Sequence, residues 1–293
     1  MKRCIVTGGS CNDVAPMASL LLNLKKTQTW IDQVIIYHDG ISQKDQKLMC
    51  SIVPVEFREY TFPGNMNHFN EIVRYVYTPM IFCKYECIKL LESFDYVVWT
   101  DYDVLFLSDV PELLKFNDNS SGIKMMKAIY GDSCCFFRDQ IRQEGYKYLS
   151  KYCPLDSISV FTNLMVFSRK LNDYLELYQQ CIHFTEKFGE WLVLPEQAVF
   201  DMVLNQLHIE VESISWDYAY RPEQGKPIFS NAKILHSISQ PKFWNGLENE
   251  QWNNNYAQWL AMGGSPWKPL SPWCVRSIRK KISFMLDHIF HNR

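Results

Sequence analysis

The chain has 293 residues, 47% of them hydrophobic and 21% charged, which suits one large α/β domain or two small ones. Its formal net charge of −2 gives no general attraction for nucleic acid, so no nucleic-acid partner is expected. Its ten cysteines lack metal-ligand spacing, and no apolar stretch is long enough for a signal peptide or a membrane span, so a cytoplasmic protein with reduced thiols is expected.

Cys4-Ile-Val-Thr reads as a first strand ending in Gly8-Gly9-Ser10. Those glycines either let backbone approach a ligand or simply make a turn. Pro16 to Leu24 reads as a helix, Val34-Ile-Ile-Tyr-His as a second strand, and Ser42 to Ile52 as a helix with Ser42 as N-cap. Val55 to Tyr60 alternates in polarity, as a third strand does, and Pro79 to Leu91 reads as a helix. This alternation predicts a mainly parallel, doubly wound sheet.

The run Tyr96-Val-Val-Trp-Thr-Asp101-Tyr102-Asp103-Val-Leu-Phe-Leu reads as a buried strand carrying two carboxylates at its end. Residues i and i+2 of a strand point the same way, so Asp101 and Asp103 converge. Neighbouring buried like charges need neutralising, and hard carboxylate oxygens suit magnesium, calcium or manganese. The competing reading is a turn with both carboxylates solvated or bonded to backbone. Further on, Ser159 to Phe167 reads as a strand, Leu171 to Lys187 as a helix, and Pro195 to Gln206 as a helix begun by proline. Ala232 to Leu235 is a short strand leading into His236. Residues 1–250 read as one domain and 251–293 as a Trp-rich, basic amphipathic extension. Within that extension Ile278, Ile282, Met285, Leu286 and Ile289 follow helical spacing beside Arg276, Arg279, Lys280 and Lys281. Such a helix either lies on an anionic membrane surface or docks on its own domain.

Four patches together resemble retaining glycosyltransferases of family 8, including bacterial lipopolysaccharide galactosyltransferases and glucosyltransferases. They are Tyr96 to Leu113, Asn163 in Phe-Thr-Asn-Leu-Met-Val, Pro195-Glu196-Gln197 with Asp201, and His236-Ser-Ile-Ser-Gln-Pro-Lys242-Phe-Trp244. The resemblance implies a GT-A fold, a Rossmann-like and mostly parallel sheet flanked by helices, here with a C-terminal helical extension. It implies manganese, or magnesium, held by Asp101, Asp103 and His236. It implies a UDP-sugar donor met by Thr7, Asn12, Lys84, Asp101, Tyr102, Asp103, Asn163 and Lys242. Gln197, Glu196 and Asp201 fall at its reaction centre. The acceptor it implies is a glycan or glycolipid, such as lipopolysaccharide, reached at the inner face of the cell membrane through the C-terminal helix.

The chain departs from the family pattern in several places. A family glycine is Ser239, a proline is Phe243, and an arginine that contacts the nucleotide-sugar is Lys84. Met165 stands where glycine is common, and Ala198 where an acidic residue often follows Gln197. These changes bear on donor-sugar identity more than on metal binding. Two other readings stay open: a non-catalytic nucleotide-sugar binder, and a phosphohydrolase using Asp101 as nucleophile.

Overall fold

A computed structural model describes residues 1–130 and 133–269 of the chain. The basic helix expected over Arg276 to Arg293 lies outside the described residues. In chain order the strands are β1 Arg3–Gly9, β2 Gln33–His38, β3 Val55–Glu59, β4 Tyr96–Thr100, β5 Val104–Phe106, β6 Ile123–Lys127, β7 Ile129–Tyr130, β8 Ser133–Cys134, β9 Val160–Ser168, β10 Glu212–Ile214 and β11 Ile234–His236. The α-helices are α1 Val14–Thr27, α2 Gln43–Cys50, α3 Glu86–Lys89, α4 Tyr146–Leu149, α5 Tyr174–Phe188, α6 Pro195–Gln206 and α7 Glu250–Ala261.

Seven strands form the central sheet in the order β10-β6-β9-β4-β1-β2-β3. β1 pairs in parallel with β2 and β4, β2 with β3, and β6 with β10. β9 runs antiparallel to both β4 and β6. The sheet is therefore mostly parallel and flanked by helices, with one reversed strand inside it. The period of two along β1 feeds two cores. Cys4 and Val6 join the core that holds Phe184 of α5 and Phe200 of α6. Ile5 joins the opposite one, with Leu20 and Leu24 of α1.

Local chemistry sets most boundaries. Ser42 caps α2: its Oγ accepts from Asp45 N–H at 3.1 Å and donates to Asp45 Oδ2 at 2.6 Å. Pro195 occupies the first turn of α6, where no amide hydrogen is needed. The helix expected over Pro79 to Leu91 is a tight 3₁₀ stretch, Pro79–Tyr85, continued by α3 and a last 3₁₀ turn. α7, inside the segment expected to be an extension, packs on α1. There Trp259 is fully buried among Met17 and Leu21, and its Nε1 donates to Ser265 O at 2.9 Å.

β5 turns out of the main sheet and pairs antiparallel with β11. Asn23, buried on α1, holds it there. Phe106 N–H donates to Asn23 Oδ1 at 2.7 Å, and Asn23 Nδ2 donates to Phe106 O at 3.0 Å. This departure shapes the site, because it places His236 opposite Val104, next to Asp103.

Candidate functional site

Asp101, Tyr102 and Asp103 form the turn between β4 and β5. Two pairings bring distant residues to this turn. Asp101 N–H donates to Asn163 O at 3.0 Å, extending the β4–β9 ladder. Ser237 N–H donates to Asp103 O at 3.0 Å, extending the β5–β11 ladder. Asp101, Asp103 and His236 thereby offer one ligand atom each, all within 4.8 Å of one another.

The carboxylate oxygens divide their work. Asp101 Oδ1 accepts from Trp99 Nε1 at 2.9 Å and lies 3.3 Å from Lys84 Nζ. Asp103 Oδ2 accepts from Lys242 Nζ, which also donates to Ser237 O at 2.6 Å. The other two oxygens face His236 Nε2, Asp103 Oδ1 at 3.0 Å and Asp101 Oδ2 at 3.9 Å. Asn163 Nδ2 lies 3.0 Å from His236 Nδ1 and fixes the ring so that Nε2 looks at the carboxylates. Two carboxylate oxygens and one imidazole nitrogen are metal-ligating groups, so the donor set fits a divalent cation.

Electrostatics separate the two carboxylates. Burial pushes the Asp101 carboxyl above its ordinary value, an effect that Asp103 reinforces and Lys84 and His236 oppose. Burial acts on Asp103 too, but His236 and Lys242 outweigh it and hold that carboxyl well below the usual range. Burial pulls the Lys84 ammonium down, while Asp101 and Glu196 together hold it above the usual lysine value.

The turn sits where two lobes of one cleft meet. A smaller lobe of about 300 Å³ runs past Gly8, Gly9, Ser10, Asp13, Tyr102 and Trp244. A larger lobe of about 850 Å³ runs past Thr162, Asn163, Glu196, Gln197, His236 and Gln240. Lys84, Asp101, Asp103 and Lys242 line both. The glycines serve close approach. A Cβ on Gly8 would meet Cys83 Sγ at 2.5 Å, and one on Gly9 would meet Tyr102 at 3.1 Å. Thr78, a β-branched residue at φ 62°, edges the smaller lobe in a backbone region such residues rarely adopt.

Residues 17–248 match the family described as Glycosyl transferase family 8. The chain belongs to glycosyl transferase family 8. The solved galactosyltransferase LgtC, in complex with donor and acceptor sugar analogs, is similar at 15% identity and TM-score 0.62, over 88% of this chain and 99% of that one. The WbbM bifunctional glycosyltransferase is similar at 12% identity and TM-score 0.60, over 89% of this chain and 51% of that one, so the present chain spans about half its length. GlyE of Streptococcus pneumoniae TIGR4 is similar at 14% identity and TM-score 0.59, over 90% of this chain and 64% of that one. A search of curated proteins finds no match. At these identities the likeness shows a shared GT-A fold.

Within this glycosyltransferase most of the expected site residues gather at the cleft. Tyr102 and Trp244 stand together at the smaller lobe, ring centroids 5.9 Å apart. Glu196 and Gln197, on the first turn of α6, reach the larger lobe, where Gln197 Nε2 has no hydrogen-bond partner among the described residues. Glu196 Oε1 accepts from Thr162 Oγ1 at 2.7 Å and Lys84 Nζ at 3.0 Å. Thr7 is fully buried in β1 and Asn12 sits in the following loop; neither lines the cleft, whereas Ser10 and Asp13 do.

Asp201 is a correction to the sequence reading. It lies one turn beyond Gln197 on α6, and that turn, about 6 Å of axis, carries it past the cleft. Its Oδ1 accepts from Val160 N–H at 3.0 Å, and it lines a separate hollow with Lys127 and Asn205. Burial pushes its carboxyl up to about 7. Trp252 packs in the core beside Phe243 and Tyr256. The sequence reading missed Asn23, Asp13, Trp99 and Thr162. Trp99 and Thr162 each stand beside a residue of the expected motifs. Asn23, polar in an otherwise apolar stretch of α1, was the one detectable anomaly.

Proposed function

We propose that this glycosyltransferase moves a hexose from a UDP-sugar to a sugar hydroxyl with retained anomeric configuration. The observation that carries the reading is the convergence of Asp101 Oδ2, Asp103 Oδ1 and His236 Nε2 at the junction of the two lobes. A divalent cation held by those three residues, manganese or magnesium, supplies Lewis-acid neutralisation of the diphosphate. The smaller lobe suits the nucleoside and the larger one the two sugars.

Each residue then has a physical task. Lys242, on both lobes, carries a point charge that can pass from Asp103 to a diphosphate oxygen and stabilise the departing UDP. Asn163 orients His236. Gln197 lines the sugar lobe with an amide whose Nε2 has no partner among the described residues, suited to a hydroxyl or, through its oxygen, to charge developing at the anomeric carbon. An amide is a poor nucleophile, so front-face attack by the acceptor fits better than a covalent intermediate. Asp101 is poorly placed to attack a phosphoester, because Trp99 and Lys84 hold Oδ1 while Oδ2 faces His236.

The acceptor proposed from the family resemblance is a cell-surface glycan such as lipopolysaccharide, glycosylated on the cytoplasmic side. Among the described residues no helix is long and apolar enough to cross a membrane. The test is UDP release from a panel of UDP-sugars, with and without manganese, for wild type and Asp103→Ala. Manganese-dependent release that the variant loses is the expected result, and the preferred sugar names the donor. UDP binding without turnover, even with glycan acceptors present, would support a nucleotide-sugar binder instead. Failure of UDP to bind at all would overturn the reading.

A further inference from the structure

The resemblance to family 8 places Lys84 against the donor sugar, yet its surroundings leave it no free hydrogen. Lys84 Nζ lies 3.0 Å from Glu196 Oε1, 3.3 Å from Thr162 Oγ1 and 3.3 Å from Asp101 Oδ1. An ammonium carries three N–H donors, and these three oxygens account for all of them. The side chain is 5% exposed. Its charge stands 5.5 Å from the centroid of the Trp99 ring, and Trp99 Nε1 donates to the same Asp101 oxygen.

The three acceptors belong to three elements. Asp101 follows β4, Thr162 lies on β9, and Glu196 is in the first turn of α6. One ammonium thus ties the metal-facing turn to the strand and helix that wall the sugar lobe. An arginine here would bring five N–H donors in a planar fork and could brace these groups while still reaching a ligand. Lysine has enough donors for the brace alone.

We infer that Lys84 is a positioning residue: it straps Asp101 to Thr162 and Glu196, holding one Asp101 oxygen so that the other faces His236, and it does not contact the donor sugar. The inference rests on the proposed function and departs from the donor-contact role that the resemblance implies for Lys84.

A strap and a sugar contact differ in what their loss does to UDP, which carries no sugar. The experiment compares calorimetric titrations of UDP, UDP-glucose and UDP-galactose in manganese, for wild type and Lys84→Met, together with kcat and KM. Lys84→Met leaves Asp101 and Glu196 buried without their counter-charge, which can compromise folding. The charge-balanced double variant Lys84→Met/Glu196→Gln keeps the UDP and manganese arms of the test available, since neither ligand reaches Glu196 through a sugar. Loss of an outer support of a metal ligand commonly costs about 10–100-fold in affinity or activity. The expected result is an equal fall of about that size for UDP and for both UDP-sugars, with manganese affinity in the presence of UDP falling alongside. The inference is overturned if UDP and manganese bind as in wild type while only the UDP-sugars lose affinity. If wild type binds neither UDP nor manganese, the functional reading falls first and this role falls with it.

Discussion

Asp201→Asn is expected to stabilise the protein, and to do so more as pH rises. Asp201 is 7% exposed, and its Oδ1 accepts from Val160 N–H. Gln140 and Ser159 are also buried, and hydrogen bonds from their side chains oppose the effect of burial on this carboxyl without cancelling it. Burial raises the carboxyl from 3.8 to about 7. The folded state therefore binds more protons than the unfolded state between those values, and stability falls as pH rises through that window. The linkage gives a loss of about 2.5 kcal/mol between pH 5 and pH 8. Asparagine cannot ionise and keeps an acceptor for Val160 N–H. Its advantage over aspartate should therefore grow by that amount, or about 4 °C in Tm for a chain of this length. Thermal and urea unfolding of both proteins at pH 5 and pH 8 measure it. An equal difference at both pH values, or an advantage that shrinks toward pH 8, would refute the reasoning.

Other consequences follow from the same geometry. His236→Ala removes one of three convergent ligand atoms, so manganese-dependent UDP release should fall about 10²–10³-fold, read in the same turnover assay. A variant with unchanged turnover would show that the histidine holds no metal. Asn23→Ala strips Phe106 N–H of its partner and leaves Phe106 O only the long contact from Gln251 Nε2 at 3.5 Å, and should cost about 1–3 kcal/mol in urea unfolding. Because β5 carries the chain out of the Asp101–Asp103 turn, the same variant should bind manganese less well in the presence of UDP. Ser239 sits at φ 63°, which explains the glycine that the family favours there. Ser239→Gly should be tolerated, whereas Ser239→Val should cost about 1–2 kcal/mol, and equal stabilities would argue against a left-handed residue.

Much of the local structure was legible in the sequence. The bounds of α6 follow from Pro195 and the apolar periodicity after it, and the Ser42 cap of α2 follows from its hydroxyl. The buried strand before Asp101 follows from its β-branched and aromatic run, and the structure ends it at Thr100. These signals depend on each residue's own propensities and on which side of a helix or strand it falls, so neighbours in sequence suffice to read them. The reversed strand β9 and the departure of β5 were not legible. Val104-Leu-Phe reads as more of the same strand, and only Asn23 and the pairing with β11 show that it leaves the sheet.

The candidate site divides the same way. The sequence by itself determined which chemistry was available: two carboxylates two residues apart, a histidine at a strand end, a lysine six residues after it, and a glutamine in the first turn of a helix. Tertiary structure decided which of these meet and which atoms remain free. β11 pairs with β5 and brings His236 to Asp103, whereas α6 carries Asp201 past the cleft although it lies only four residues from Gln197. Lys84 shows the difference most clearly. Its charge is a property of the residue. Whether a donor hydrogen is left for a ligand depends on how many acceptors distant strands and helices place around it, and no local stretch of sequence specifies that number.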